Sequence, residues 1–142
     1  MRNIFLSVLI GLALVGCSHS SSGSSDGAAS SSDAKAIFPS GLVPPFAYSM
    51  RGQKTVPVGG GEEHRVMIEF KSGDAASIDG ELQKQLTAGG YQSTRHFTDT
   101  TGAMITEYDK GGVDLMTSVT ARGNSKLTLA PDSKGTVYYK WH

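Results

Sequence analysis

The sequence predicts an α+β domain, built as a small, twisted, mostly antiparallel sheet of four to five strands with one helix packed on one face. Segments in which every second residue is apolar recur through residues 62–141, as in half-buried strands. Residues 74–88 instead repeat large apolar residues at every fourth position, as an amphipathic helix does. The later strands are joined by short turns, and such strands are antiparallel neighbours because a parallel pair needs a crossover of about a dozen residues.

A strand and a helix open the predicted domain. The strand is Glu62–Phe70, and its inward-facing residues are Val66, Ile68 and Phe70. Asp74 follows as the N-cap of a helix that reaches about Ala88, because its side-chain oxygen accepts hydrogen bonds from free amides of the first turn. The apolar face of this helix carries Ala75, Ile78, Leu82 and Leu86. Glycines follow it at 89 and 90 and predict a left-handed C-terminal stop.

Turns divide the rest of the chain into short strands. These are predicted at Tyr91–Phe97, Ala103–Tyr108, Val113–Val119 and Thr136–Trp141. The tight turn Asp109-Lys110-Gly111-Gly112 makes a hairpin of the second and third of them. Lys126–Ala130 is left open as a further short strand. The predicted order is β-α-β-β-β-β, with that strand undecided.

One helix covers only part of such a sheet. The second face is therefore solvated, covered by the preceding proline-rich segment, or used for binding. Alternation in the strands makes Arg95, Tyr138 and Lys140 candidates for the polar side. It places Tyr139 and Trp141 on the other side with Val137, most simply as core.

The domain is predicted over residues 59–142, preceded by two segments of different composition. Residues 34–58 interleave large apolar side chains with four prolines, which forbid a long helix and favour extended backbone. Two interpretations stay open for this arm: packing over the domain, or docking to a partner. Residues 17–33 hold no large apolar side chain and are rich in serine, as in a flexible linker whose ends lie roughly 20–25 Å apart.

The first sixteen residues are typical of an export signal. A short start with one positive charge, Arg2, precedes an apolar run from Ile4 to Val15. That run is too short to span a bilayer, since a transmembrane helix needs about 20 apolar residues. We therefore expect a cleaved signal peptide over residues 1–16 rather than a membrane span.

The end of this signal, Leu14-Val15-Gly16-Cys17, resembles the lipobox of bacterial lipoproteins. The resemblance implies cleavage between Gly16 and Cys17, a diacylglycerol on the sulfur of Cys17, and usually a third acyl chain, such as palmitate, on the new amino group. Two or more acyl chains anchor a protein stably, whereas one does so only marginally. Ser18 in place of an aspartate implies the periplasmic face of the outer membrane in a Gram-negative cell. The alternative is an ordinary signal peptide with a coincidental cysteine.

Composition and motifs exclude several kinds of chemistry. The 13 Lys and Arg residues balance 13 Asp and Glu residues without a basic block, which argues against nucleic acid as a partner. The one cysteine would be consumed by lipid, and serines are abundant mainly because of the linker. Metal-binding spacing is lacking at His64, His96 and His142. The acidic residues at predicted turns fit turn formation: Asp99, Glu107, Asp109 and Asp114. No catalytic residue, no metal site and no cofactor beyond the covalent lipid are predicted.

These observations predict a membrane-anchored envelope lipoprotein with a small, non-enzymatic domain that contacts another envelope protein or the wall polymer. The membrane is the predicted partner of the lipid anchor. The alternative is a small-ligand-binding or cell-wall-acting domain with a site on the open sheet face.

Overall fold

A computed structural model of the chain describes residues 37–142. The predicted signal peptide, its cleavage site at Gly16, the lipid attachment at Cys17 and the linker of residues 17–33 lie outside the described residues. So do the first three residues of the proline-rich segment.

Six strands form one sheet, and every neighbouring pair in it is antiparallel. The strands are β1 (Tyr48–Val58), β2 (Gly61–Phe70), β3 (Gln92–Thr98), β4 (Met104–Lys110), β5 (Val113–Ala121) and β6 (Gly135–Trp141). Their order is β1-β2-β6-β5-β4-β3. The last strand therefore lies between β2 and β5, and the helix α1 (Ala75–Ala88) carries the chain from β2 to the far edge at β3.

A side-chain cap marks the start of the helix, and a glycine marks its end. The Asp74 carboxylate accepts a hydrogen bond of 2.8 Å from the amide of Ser77, satisfying a donor that has no partner within the helix. Gly90 has a φ of 89°, which ends the helix in the left-handed region that favours glycine. α1 buries Ala75, Ile78, Asp79, Leu82 and Leu86 and packs against β3, β4 and β5.

The segment of residues 37–46 packs beside α1 on the same face of the sheet. Phe38 is 3% exposed and makes edge contacts with Tyr48 and Tyr139 at centroid distances of 5.6 and 5.5 Å. The Gln85 side chain of α1 donates a hydrogen bond to the carbonyl of Val43. We call this side of the sheet the covered face and the opposite side the open face. The covered face holds the core of β2, β5 and β6, namely Val66, Ile68, Phe70, Leu115, Val119, Val137 and Tyr139.

The fold class is α+β with one helix, as predicted, but the sheet has six strands rather than four to five. The additional strand is β1, which lies within residues 34–58. Pro57 is its one proline and sits beside the hairpin turn of an edge strand, where a missing amide donor is tolerated. Most of β1 is exposed, so its sequence lacks the alternation that marks a half-buried strand.

Lys126–Ala130, left open by the sequence, is not a strand. These residues belong to the connection from β5 to β6, which begins with a 3-10 turn at Arg122–Asn124. The Arg122 guanidinium donates hydrogen bonds of 2.7 and 2.8 Å to the carbonyls of Ala130 and Ser133. These side-chain contacts hold the connection together with backbone hydrogen bonds, such as that of 2.8 Å from the amide of Lys134 to the carbonyl of Phe70.

Candidate functional site

Strand register decides which side chains share the open face. Two neighbouring rows cross its centre from β1 to β3. The first row is Lys54, Arg65, Lys140, Met116, Glu107 and Arg95, and the second is Gly52, Met67, Tyr138, Ser118, Ile105 and Phe97. The structure thus places the three sequence candidates for the polar side, Arg95, Tyr138 and Lys140, on this one face.

Three cations are consecutive in the first row. Lys54, Arg65 and Lys140 are cross-strand partners on β1, β2 and β6. The Arg65 Nε donates to Glu63 Oε1 at 2.6 Å, and this hydrogen bond raises the pKa of the guanidinium. Within residues 37–142, neither lysine takes part in an ion pair. We call these three residues the cation row.

A hollow lies beside the cation row. Its volume is about 320 Å³, and it is lined by Gly52, Gln53, Lys54, Arg65, Val66, Met67 and Tyr138. It lies where β1 is irregular between Met50 and Gly52, and no atom would approach a Cβ at Gly52 within 4 Å. Partial burial raises the pKa of the Tyr138 hydroxyl, which is therefore protonated at neutral pH and able to donate a hydrogen bond.

In the opposite half of the open face, the cation of the first row is paired with a carboxylate. On β3 and β4, Arg95 Nη1 lies 3.9 Å from Glu107 Oε1. The Arg95 guanidinium also lies 4.3 Å from the centre of the Phe97 ring. Among the described residues, the first-row cations that have no ion pair, Lys54 and Lys140, thus lie in the β1-β2-β6 half.

Glu69 closes the end of the open face that lies toward the β5–β6 connection. Its carboxylate forms an ion pair with Arg51 and accepts a 3.0 Å hydrogen bond from the amide of Ala130. Arg51 Nη1 also donates to the carbonyl of Thr128 at 2.9 Å. Burial raises the pKa of Glu69, but the hydrogen bonds from Ala130, Arg51 and Ser133 outweigh it and leave the pKa lowered. Arg51 is therefore committed to structure and is not counted with the cation row.

No family model, curated protein or solved structure matches this chain. Among residues 37–142, no helix is both long enough and apolar enough to cross a membrane.

A second concave surface is lined mainly by residues of the covered face and of the segment of residues 37–46. This groove has a volume of about 580 Å³ and is lined by Ile37, Phe38, Gln53, Lys54, Thr55, His64, Arg65, Val66 and Trp141. The His64 and Trp141 rings stack at a centroid distance of 5.2 Å. Thr55 Oγ1 lies 3.2 Å from His64 Nδ1, so the imidazole is held on both sides.

The histidines occupy separate places. His96 Nε2 lies 3.0 Å from Asp79 Oδ2 under α1, while His142 Nε2 lies 3.5 Å from Asp114 Oδ2 at the end of β6. In the part of the chain that the structure describes, no three His, Cys, Asp or Glu side chains form a group that could hold a metal ion.

Asp99 organises the turn between β3 and β4. Its Oδ1 accepts hydrogen bonds from the hydroxyl and amide of Thr101 at 2.7 and 2.8 Å and from the amide of Ala103 at 3.0 Å. These hydrogen bonds, led by that from the Thr101 side chain, lower the pKa of Asp99. This carboxylate therefore serves the turn, as acidic residues at hairpin ends commonly do.

Sequence reasoning missed a buried polar cluster under α1. Asp79 is 4% exposed and accepts a 2.7 Å hydrogen bond from Gln83 Nε2. Nearby, the buried hydroxyls of Tyr108, Thr117 and Tyr139 have no hydrogen-bond partner among the described residues. Burial raises the pKa of Tyr108 to about 12. The one available signal is the position of Asp79, directly after Ile78 on the inward face of the helix.

Proposed function

We propose that the protein is a lipid-anchored envelope protein whose domain acts by binding another envelope protein or the wall polymer through the open face. The observation that carries this proposal is the cation row beside the partly buried apolar side chains of the second row. A binding role needs no catalytic group.

The cation row is costly to the isolated domain. Like charges directly opposite each other in a sheet are destabilising, by an amount comparable to the roughly 0.2–1 kcal/mol that favourable pairs contribute. Lys54 and Lys140 nevertheless flank Arg65, and within residues 37–142 the cation row has one ion-pair partner, Glu63, which binds Arg65. A partner with complementary charge would remove this repulsion and bury the adjacent apolar surface. Such charge complementarity favours specific and rapid association.

The expected anchor supports the same role. A lipid on Cys17 and the linker of residues 17–33 would hold the domain close to the membrane, roughly 20–25 Å from its attachment point. Confinement raises the effective concentration of domain and partner, so weak contacts become sufficient.

Site-specific photo-crosslinking in intact cells tests the proposal. A photoreactive amino acid replaces Ser118, at the centre of the open face, and in a matched control it replaces the exposed Glu81 of α1. We expect a discrete adduct from position 118 that is lost when K54E and K140E are added. No adduct, or the same adduct from both positions, would contradict the proposal.

A small-ligand-binding or cell-wall-acting domain is the second candidate, and the groove lined by His64 and Trp141 is the observation that favours it. Soluble wall fragments would then raise the melting temperature of the purified protein, and substitution of His64 by Ala would remove that rise. Such a result without an adduct from position 118 would favour the second candidate over the first.

A further inference from the structure

We infer that β1 receives an acidic, extended peptide segment of a partner protein as a seventh strand, whose acidic side chains lie against the cation row. This inference rests on the proposed function, because it names the chemistry of the partner that binds the open face. It combines three features: a free strand edge, unbalanced positive charge next to that edge, and space for a side chain between them.

The free edge is long. Within residues 37–142, β1 pairs with β2 alone, and it runs for 11 residues, most of them exposed. The outer edge of such a strand presents backbone donors and acceptors that an extended peptide can pair with. The other edge, β3, is shorter at 7 residues and is also irregular, between Ser93 and Arg95.

The positive charge at the β1 edge favours an acidic partner segment. β1 contains Arg51 and Lys54 and no acidic residue. Arg51 is paired with Glu69, so in the described part of the chain Lys54 remains the unpaired cation at the edge. Arg65 and Lys140 continue the positive charge inward. A second copy of the chain pairing along β1 would bring two such cationic strands together, and like charges opposite each other repel. An acidic strand instead gains an attractive contact. At the β3 edge the corresponding cation, Arg95, already has Glu107.

The hollow indicates a side-chain pattern. Gly52 and Lys54 lie two positions apart on the open face, where Gly52 leaves space above Met67 and beside Tyr138. Alternate residues of an added strand point to the same face. A large apolar residue beside Gly52 and an acidic residue beside Lys54 would then stand two positions apart in the partner. On the face that lies toward the cation row, the expected segment therefore alternates large apolar and acidic residues, and it contains no proline.

Peptide binding by the purified full chain in detergent micelles tests the inference. The probe is a fluorescein-labelled nine-residue peptide with capped ends, Val-Thr-Glu-Thr-Val-Thr-Glu-Thr-Val, in which the odd positions share one face and alternate Val and Glu. One control peptide carries Gln in place of each Glu, and another carries N-methyl groups on alternate amides, which remove backbone donors. We expect each control peptide to bind at least about tenfold more weakly by fluorescence polarisation.

Protein variants identify the surface. The K54E/K140E chain should bind the acidic peptide at least about tenfold more weakly, whereas K84E, a matched reversal on the exposed side of α1, should bind it normally. Circular dichroism checks that each variant is folded, and K54Q/K140Q replaces the double reversal if that chain unfolds. Equal binding of the Glu and Gln peptides, or by the unaltered and K54E/K140E chains, overturns the inference.

The remaining outcomes separate this inference from the proposed function. An adduct from position 118 without binding of the acidic peptide overturns the added strand and leaves the open face as the binding surface. If neither the adduct nor binding of the acidic peptide is observed, both the inference and the proposed function are overturned. Binding to vesicles that contain phosphatidylglycerol, lost in K54E/K140E and unaccompanied by peptide binding, overturns the inference and assigns the cation row to the membrane surface.

Discussion

Glu69 shows how one side chain organises several segments. It lies on β2, is 5% exposed, and binds Arg51 of β1 and the amide of Ala130 in the β5–β6 connection. A buried carboxylate is tolerated where its oxygens accept hydrogen bonds, and here the donors come from both neighbouring segments. The same contacts close one end of the open face.

Replacing Glu69 by Gln should lower the free energy of unfolding at neutral pH by about 1–3 kcal/mol, because charge-assisted hydrogen bonds become neutral ones. The folded-state pKa of Glu69 lies below its ordinary value of 4.5. Its contribution is therefore fully present above pH 4.5 and is lost as pH falls through the lowered folded-state value. Urea unfolding at pH 7 and at steps below pH 4.5 measures the difference between the two chains.

Asp132→Asn is the matched control for Glu69. Asp132 forms its 2.8 Å ion pair with Lys71 at the surface, where solvent screens the charges. Its removal should change stability far less. If both variants lose the same stability and show the same pH dependence, the role assigned to Glu69 is wrong.

Two glycines should respond to substitution by alanine with stability changes of opposite sign. A Cβ at Gly135 would collide with the Thr120 carbonyl oxygen and the Phe70 ring, whereas a Cβ at Gly80 in α1 meets no atom within 4 Å. Gly135→Ala should therefore destabilise the protein by about 1–3 kcal/mol through overpacking. Gly80→Ala should stabilise it by roughly 0.5–1 kcal/mol through helix propensity. Thermal and urea unfolding measure both changes, and equal signs would contradict the packing described around β6.

Among the elements, the segment of residues 37–46 behaves as part of the core although it precedes the sheet. Phe38 fills the space beside α1, and Ser40 Oγ lies 2.9 Å from the hydroxyl of Tyr91. Because a single helix covers only part of a six-stranded sheet, this segment covers apolar surface over β2 and β6 that would otherwise face water.

Truncation of Phe38 to Ala should cost about 3–5 kcal/mol, as expected for a buried aromatic side chain. Leu127→Ala is the control, since Leu127 is 43% exposed and should change stability by no more than about 0.5 kcal/mol. Urea denaturation of the two variants gives the comparison. Equal, small losses would show that the segment does not belong to the core.

At the scale of the whole molecule, the net charge is zero but the charges are unevenly distributed. The formal net charge is zero, yet the cation row occupies one half of one face. The expected lipid anchor adds a second asymmetry, because it would tie one end of the chain to a membrane.

Cys17→Ser should move the protein from the membrane fraction to the soluble fraction of lysed cells, since without a thiol no diacylglycerol is attached. Ser18→Ala is the control and should leave the protein with membranes. Detection of each variant by immunoblot after ultracentrifugation measures the distribution. Unchanged membrane fractionation of C17S would refute the lipoprotein interpretation.

Local patterns were sufficient to predict α1 and the strands from β2 onward. The Asp74 cap and the glycines after α1 act over a few residues, and the inward residues of β2 recur at every second position. β1 lacked such a pattern, because an exposed edge strand has few buried residues to mark it. Its pairing with β2 depends on a neighbour and not on its own periodicity.

The sequence by itself determined the α+β class, the single helix and the side of β6 on which Tyr138 and Lys140 lie. It also carries the lipobox resemblance at Cys17. Tertiary structure alone decided that β6 lies between β2 and β5, and thereby that Lys54, Arg65 and Lys140 form one row. The physical reason is that alternation assigns a residue to a face, whereas hydrogen-bonded pairing between distant strands selects its neighbours on that face.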